Sequence, residues 1–108
     1  YLERISRFNP SLNAIIHLDT DSARARADAA DLALSRGEIW GPLHGLPITI
    51  KESHNIAGWP TTYGDPKLKD NRPAQTATAI TRLLRAGAII FGKTNVPLGL
   101  LDWQSYNA

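Results

Sequence analysis

A lysine that closes an apolar strand is the residue best placed for chemistry in this chain. Lys51 follows Ile48-Thr49-Ile50, an alternation of β-branched residues that predicts a strand, and Gly45-Leu46-Pro47 leads into it. Glycine and proline there let the backbone turn tightly and bring other segments close. A lysine at the buried end of a sheet is desolvated, which disfavours its charged form and lowers its pKa from about 10.4. That is what a lysine needs to act as a general base near neutral pH. The residues alone leave a second reading open. Lys51 pairs with Glu52 or another acid and is structural, because structural ion pairs perturb lysines too.

Gly87-Ala88-Ile89-Ile90-Phe91-Gly92-Lys93-Thr94 matches the phosphate-binding P-loop pattern letter for letter. The context argues against it. A P-loop needs a strand before its first glycine and a compact loop through its middle. Here a helical pattern precedes Gly87, and the middle residues form a buried strand by composition. Amides engaged in a sheet ladder are not free to cradle phosphate. Nucleotide binding through residues 87–94 is kept only as a remote alternative.

Other polar groups give weaker signals. His17 lies on a short apolar strand and reads as structural. His44 sits in the turn before the lysine strand, where a backbone-bonding role fits best, and His54 follows that strand. The histidines and neighbouring acids show no metal-ligand spacing, so no metal and no cofactor are expected. The chain has no cysteine, which excludes disulfides and thiolate chemistry within it.

The elements that must position these residues follow from pattern. Leu2, Ile5 and Phe8 mark a first helix, with Asn9-Pro10 expected to end it. Asn13 to Leu18 predicts a strand. Asp19 to Ser22 offers caps for a helix over Ala23 to Arg36, with Ala25, Ala29, Leu32 and Arg36 at helical spacing and Gly37 past its end. Residues 53–74 read as an irregular loop that wraps over something. Thr76 is expected to cap a helix through Arg85, with Ile80, Leu83 and Leu84 facing the core and Gly87 as its stop. Ala88 to Phe91 predicts a buried strand, and Val96-Pro97 suits a further helix start. Trp40, Trp59 and Trp103 read as packing residues. Alternating helices and strands predict an α/β fold with a mixed sheet covered by helices.

The chain has 108 residues, 43% of them hydrophobic, enough for one small domain with a core. Its net charge is +2 and its basic residues are scattered, so no nucleic-acid partner is expected. There is no membrane-length apolar run and no signal-peptide pattern; the default expectation is a cytoplasmic protein. The first residue is Tyr1 and the last are Tyr106-Asn107-Ala108, so the chain reads as an excerpt of something longer.

Three segments together resemble the amidase signature family. The first is Gly41-Pro42-Leu43-His44-Gly45-Leu46-Pro47-Ile48-Thr49-Ile50-Lys51-Glu52. The second is Asn55-Ile56-Ala57-Gly58-Trp59-Pro60-Thr61-Thr62-Tyr63-Gly64. The third is Thr76-Ala77-Thr78, followed by Arg82 through Asn95. Their order and spacing match the family's, and Tyr1 to Leu18 resembles the helix and strand that precede them. The chain departs where the family often has Asp at Thr76, Asp at Glu52 and Glu at Leu98.

The resemblance implies that residues 1–108 are the N-terminal part of a single amidase domain, incomplete without downstream sequence. It implies a Ser–cis-Ser–Lys relay in which Lys51 is the catalytic base, an acyl-enzyme forms, and a small-molecule amide is the substrate. Both serines and the oxyanion hole fall outside the chain, so the fragment alone is expected to be inactive. Gly45, Pro47, Thr61, Thr62, Lys93, Thr94 and Asn95 are expected to scaffold the site or line its pocket. Lys93 and Asn95 do so through hydrogen bonds to neighbouring loops. A homo-oligomer of the full-length enzyme is possible. The alternative is a non-catalytic scaffold or binding module with the same fold.

Overall fold

The computed structural model describes residues 1–105; the terminal Tyr106-Asn107-Ala108 lies outside the described residues. In chain order the elements are α1 (Leu2–Leu12), β1 (Ile15–Leu18), α2 (Thr20–Ser35), β2 (Pro47–Lys51), α3 (Thr78–Arg85) and β3 (Ile89–Thr94). The α/β expectation holds. Among the described residues the sheet has three strands in the order β1-β3-β2, with β1 antiparallel and β2 parallel to the central β3.

Helix α1 departs from expectation by running through Pro10 to Leu12. Tertiary fixation overrides the local bias. The Asn9 side chain accepts from Ile15 N at 2.9 Å and donates to Ile15 O at 2.8 Å, as a strand residue would. Asn13 then stops the helix in the left-handed region, φ 47°, donating its N–H to Asn9 O. This leaves β1 to start at Ile15 rather than Asn13.

Asp19 caps α2 by accepting from Ser22 N at 3.1 Å, and Gly37 follows its end with φ 75°. The buried face is not the stripe through Ala25, Ala29 and Leu32, which is exposed. It runs through Ala23, Ala30 and Ala33, whose small side chains allow close approach to the sheet. Arg26 shares that side of the helix. It donates to Leu84 O at 2.8 Å and Ala88 O at 3.0 Å, and its guanidinium lies 4.9 Å from the Trp40 ring centroid. One side chain thus ties α2 to the α3–β3 corner.

Two cores flank the sheet. Ala23, Ile89 and Phe91 form one with α1 and α2; Ile50, Ile56 and Ile80 form the other with α3 and the loop after β2. That loop holds one short 3-10 turn, Pro66–Leu68, and otherwise wraps over the second face as expected. Ile80 is buried and Leu83 and Leu84 pack beside it. Helix α3 begins at Thr78 with Ala77 as its cap residue. Thr76 does not cap it; its hydroxyl accepts from Ala57 N at 3.0 Å, pinning the loop instead. After β3, Val96-Pro97 leads only into a 3-10 turn, Leu98–Leu100, in which Gly99 and Leu100 both have positive φ. Trp103 is fully exposed, so its expected packing role is not met among the described residues, whereas Trp59 packs against the second core.

Two register shifts decide which face each residue of β3 serves. Against β2, Ile48 pairs with Ile90 but Thr49 pairs with Gly92, leaving Phe91 without an opposite number. Against β1, His17 pairs with Lys93 but Ile15 pairs with Thr94, leaving Ile16 over. A one-residue slip sends the following side chains to the other face. Lys93 therefore lies on the face of Ile50, not on the face of Phe91. Gly92 permits the tight pairing with β1, since a Cβ there would sit 2.5 Å from His17 O.

Candidate active site

The turn before β2 is a docking piece for three elements. Leu43 N donates to Ala86 O at 2.8 Å, Gly45 N to Gly87 O at 3.0 Å, and Ile89 N to Leu46 O at 2.8 Å. His44 accepts from Trp40 N through Nδ1 at 3.1 Å, so Nε2 is the donor to Ala30 O at 3.0 Å. Gly45 adopts φ 73°, which favours glycine there for conformation rather than space. Pro47 heads β2, where a missing N–H costs least. The motif thereby launches β2 in register with β3 and delivers Lys51 at its far end, opposite Thr94.

Lys51 is exposed, so the burial expected for it is not met within this chain. Strand alternation turns it away from buried Ile50, toward the face shared with half-buried Thr49 and Thr94. An open groove of 810 Å³ lies on that face between α1 and β2, lined in part by Ile5, Phe8, Ile15, Thr49 and Phe91.

The desolvated lysine is Lys93, with no exposed surface. Its Nζ donates to Glu52 O at 3.0 Å, Pro60 O at 2.5 Å and Thr61 Oγ1 at 2.8 Å. These three acceptors match the three protons of an ammonium group. Burial pushes Lys93 below its ordinary 10.5, and the nearby Glu52 carboxylate opposes that shift. Glu52 is 1% exposed, and its carboxylate accepts from the amides of Thr62 and Tyr63, the latter at 2.9 Å. Alternation puts Glu52 on the face opposite Lys51, so its carboxylate serves the loop.

The loop is fixed from its other side as well. Thr61 N donates to Asn71 O at 3.1 Å, and Asn71 Nδ2 donates to Thr61 O at 2.6 Å. Tyr63 sits in the left-handed region at φ 54°, a strained conformation for a residue with a Cβ. Its amide is held by Glu52, and its carbonyl accepts from Gly99 N at 2.7 Å. His17 shares this face. Its ring meets Trp59 edge-on at 4.6 Å, and burial, then the Lys93 charge, lower its pKa.

Of the residues marked from sequence, the structure gathers Thr61, Thr62 and Lys93 into one cluster below the end of β2. Thr94 pairs with Lys51 in the ladder. Gly45 and Pro47 lie at the opposite end of the strand. Asn95 is elsewhere: it donates through Nδ2 to Asn13 O at 3.0 Å and through N to Ala14 O at 2.9 Å, joining β3 to the α1–β1 corner. Sequence reasoning missed Glu52 as the loop's anchor, giving it only as a partner for Lys51. The signal was there, since Ile48, Ile50 and Glu52 fall on one face by alternation. The P-loop reading fails on geometry: Gly92, Lys93 and Thr94 are strand residues, and the Lys93 ammonium is enclosed by protein oxygens. Among the described residues no His, Cys, Asp and Glu group suited to a metal is found, and no helix is long and apolar enough to cross a membrane.

Comparison with known proteins gives a consistent answer. A family model described as Amidase matches residues 1–107. An acylamidase of Rhodococcus erythropolis is 41% identical over 98 residues, covering 89% of this chain and 20% of the relative. A glutamyl-tRNA(Gln) amidotransferase component of Chloroflexus aurantiacus is 45% identical over 94 residues, 87% of this chain and 19% of the relative. The structure of the native peptide amidase from Stenotrophomonas maltophilia superposes with a TM-score of 0.80 at 39% identity, covering 91% of this chain and 20% of that one. The chain thus spans about a fifth of the length of the relatives it matches.

Proposed function

The chain belongs to the amidase signature family, and from that premise we propose that the protein carrying it hydrolyses the carbon–nitrogen bond of small-molecule carboxamides in the cytoplasm, with Lys51 as the base of a Ser–cis-Ser–Lys relay. The observation that carries the reading is the placement of Lys51 at the end of β2, within a segment that the Amidase model matches from residue 1 to 107. Neutral Lys51 accepts a proton from a bridging serine. That serine takes the proton of a second serine as the latter attacks the amide carbonyl carbon. The C–N bond breaks as the proton returns to the leaving nitrogen, and water cleaves the resulting acyl-enzyme. Both serines belong to sequence outside these residues. So does the cover that would exclude water from Lys51, a condition for a neutral lysine near pH 7.

The test uses the full-length protein with p-nitroacetanilide and benzamide. Wild type is expected to release the amine, and Lys51→Ala to lower kcat/KM by about 10³-fold or more, the middle of the range for loss of a general base or above it. The isolated 108-residue segment is expected to release none. A Lys51→Ala protein that keeps its rate refutes the base assignment, and hydrolysis by the isolated segment refutes the need for outside serines. A folded wild type inactive on both amides favours a scaffold role instead.

A further inference from the structure

We propose that Lys93 is a positioning residue for Lys51, acting from the opposite face of the sheet through the backbone that follows Lys51. The proposal rests on the assignment of Lys51 as the base. Lys93 takes no part in proton transfer, because its ammonium is fully enclosed and all three of its protons have protein acceptors. Its first acceptor is the carbonyl of Glu52, the residue directly after Lys51. Its other two, Pro60 O and Thr61 Oγ1, lie on the returning loop. The Glu52 side chain then reaches that same loop at Thr62 and Tyr63.

These contacts close a ring. The strand end is tied to the loop by Lys93, and the loop is tied back to the strand end by Glu52. The ladder continues through it, as Glu52 N donates to Thr94 O at 3.1 Å. The residue after Lys51 is therefore held through its N–H, its C=O and its side chain at once. Burying two opposite charges is a costly way to hold a fold together, and a well-packed apolar pair would often serve stability as well. What the charged ring adds is direction: three acceptors at fixed positions around one nitrogen leave the strand end a single orientation. A base in a proton relay needs that, since a displacement of about 1 Å can cost about 100-fold in rate. The register shift at Phe91 puts Lys93 on this face.

Three variants of the full-length protein test the proposal, read as kcat and KM on p-nitroacetanilide beside Lys51→Ala. Lys93→Met is expected to lower kcat about 100-fold with KM within about twofold, because orientation rather than binding is lost. Thr61→Val is nearly isosteric and removes one acceptor of three; a fall of about 10-fold is expected. Thr61→Ser keeps the oxygen and is expected to recover most of that loss. If Lys93→Met fails to fold, the Thr61 pair still decides. Folded Lys93→Met and Thr61→Val proteins with wild-type kcat, beside an inactive Lys51→Ala, would overturn the positioning role and leave the base assignment standing. Equal effects of Thr61→Val and Thr61→Ser, or losses confined to KM, would also overturn it. Full activity in Lys51→Ala removes the reading on which the proposal rests.

Discussion

Glu52→Gln is the sharpest probe of the ring below β2. In the wild type each carboxylate oxygen accepts one backbone amide, from Thr62 and from Tyr63. Glutamine has the same length but only one acceptor atom. Its NH₂ must face one of the two amides, donor against donor, in a place with 1% exposure and so closed to bulk solvent. One charge-assisted hydrogen bond is lost, worth about 1.5–3 kcal/mol, and the other becomes neutral. The buried Lys93 also loses the carboxylate that favours its charged form. A local cost of about 2–3 kcal/mol corresponds to an opening equilibrium about 30- to 160-fold larger for the 61–63 segment.

Amide hydrogen exchange in the full-length protein reads this directly, because Thr62 and Tyr63 exchange only when they leave Glu52. Faster exchange is expected at those two amides, with α2 amides unchanged as an internal control. Wild-type exchange at both would show that the carboxylate does not hold them. A uniform rise across α2, β2 and β3 would show that the ring is not a local unit, and either result refutes the reasoning.

Three further outcomes follow from the same geometry. The lowered pKa of His17 makes its contribution to stability fully present above 6.5 and lost as pH falls from there toward the folded value, because the unfolded chain takes up the proton first. Burial, Lys93 and Arg72 drive that shift against Asp19, so His17→Gln is expected to flatten the fall in Tm below pH 6.5, and an unchanged slope would count against it. Lys93 has the same sign at alkaline pH: its contribution is complete above 10.5 and fades below, so Lys93→Met is expected to remove a rise in stability approaching that pH. Gly87→Ala puts a Cβ 2.7 Å from His44 Cα at φ 99°; expression of soluble full-length protein is expected to collapse, and a normal yield would mean that the turn yields easily.

Much of this arrangement is legible in the sequence because it is carried by local chemistry. Gly37 and Gly87 stop their helices as their position suggests, and the β-branched run before Lys51 is a strand. The failures occur where a distant partner outweighs a local preference. Asn9 keeps α1 helical through Pro10 because Ile15 occupies its side chain, and Thr76 gives up a cap because Ala57 N needs its hydroxyl. Trp103 is a different case, an aromatic residue left fully exposed among the described residues.

The separation of the two lysines is the hardest feature to read. Both follow apolar runs in their strands, Lys51 as the last residue of β2 and Lys93 one residue before the end of β3, and a strand-borne lysine invites the expectation of desolvation. Simple alternation along β3 would give Lys93 to the face of Ile89 and Phe91, beneath α1 and α2. Only the unpaired Phe91 moves it to the other face, beside Glu52 and Thr61. A bulge has no marker in composition or periodicity here, because Phe91 is as suitable a strand residue as Ile90. Within this chain desolvation therefore acts on the other lysine: Lys93 is buried and fully engaged, while Lys51 is exposed. Under the relay proposed above, Lys51 needs an open side for its serine partner, and the three fixed acceptors of Lys93 hold the backbone that follows it.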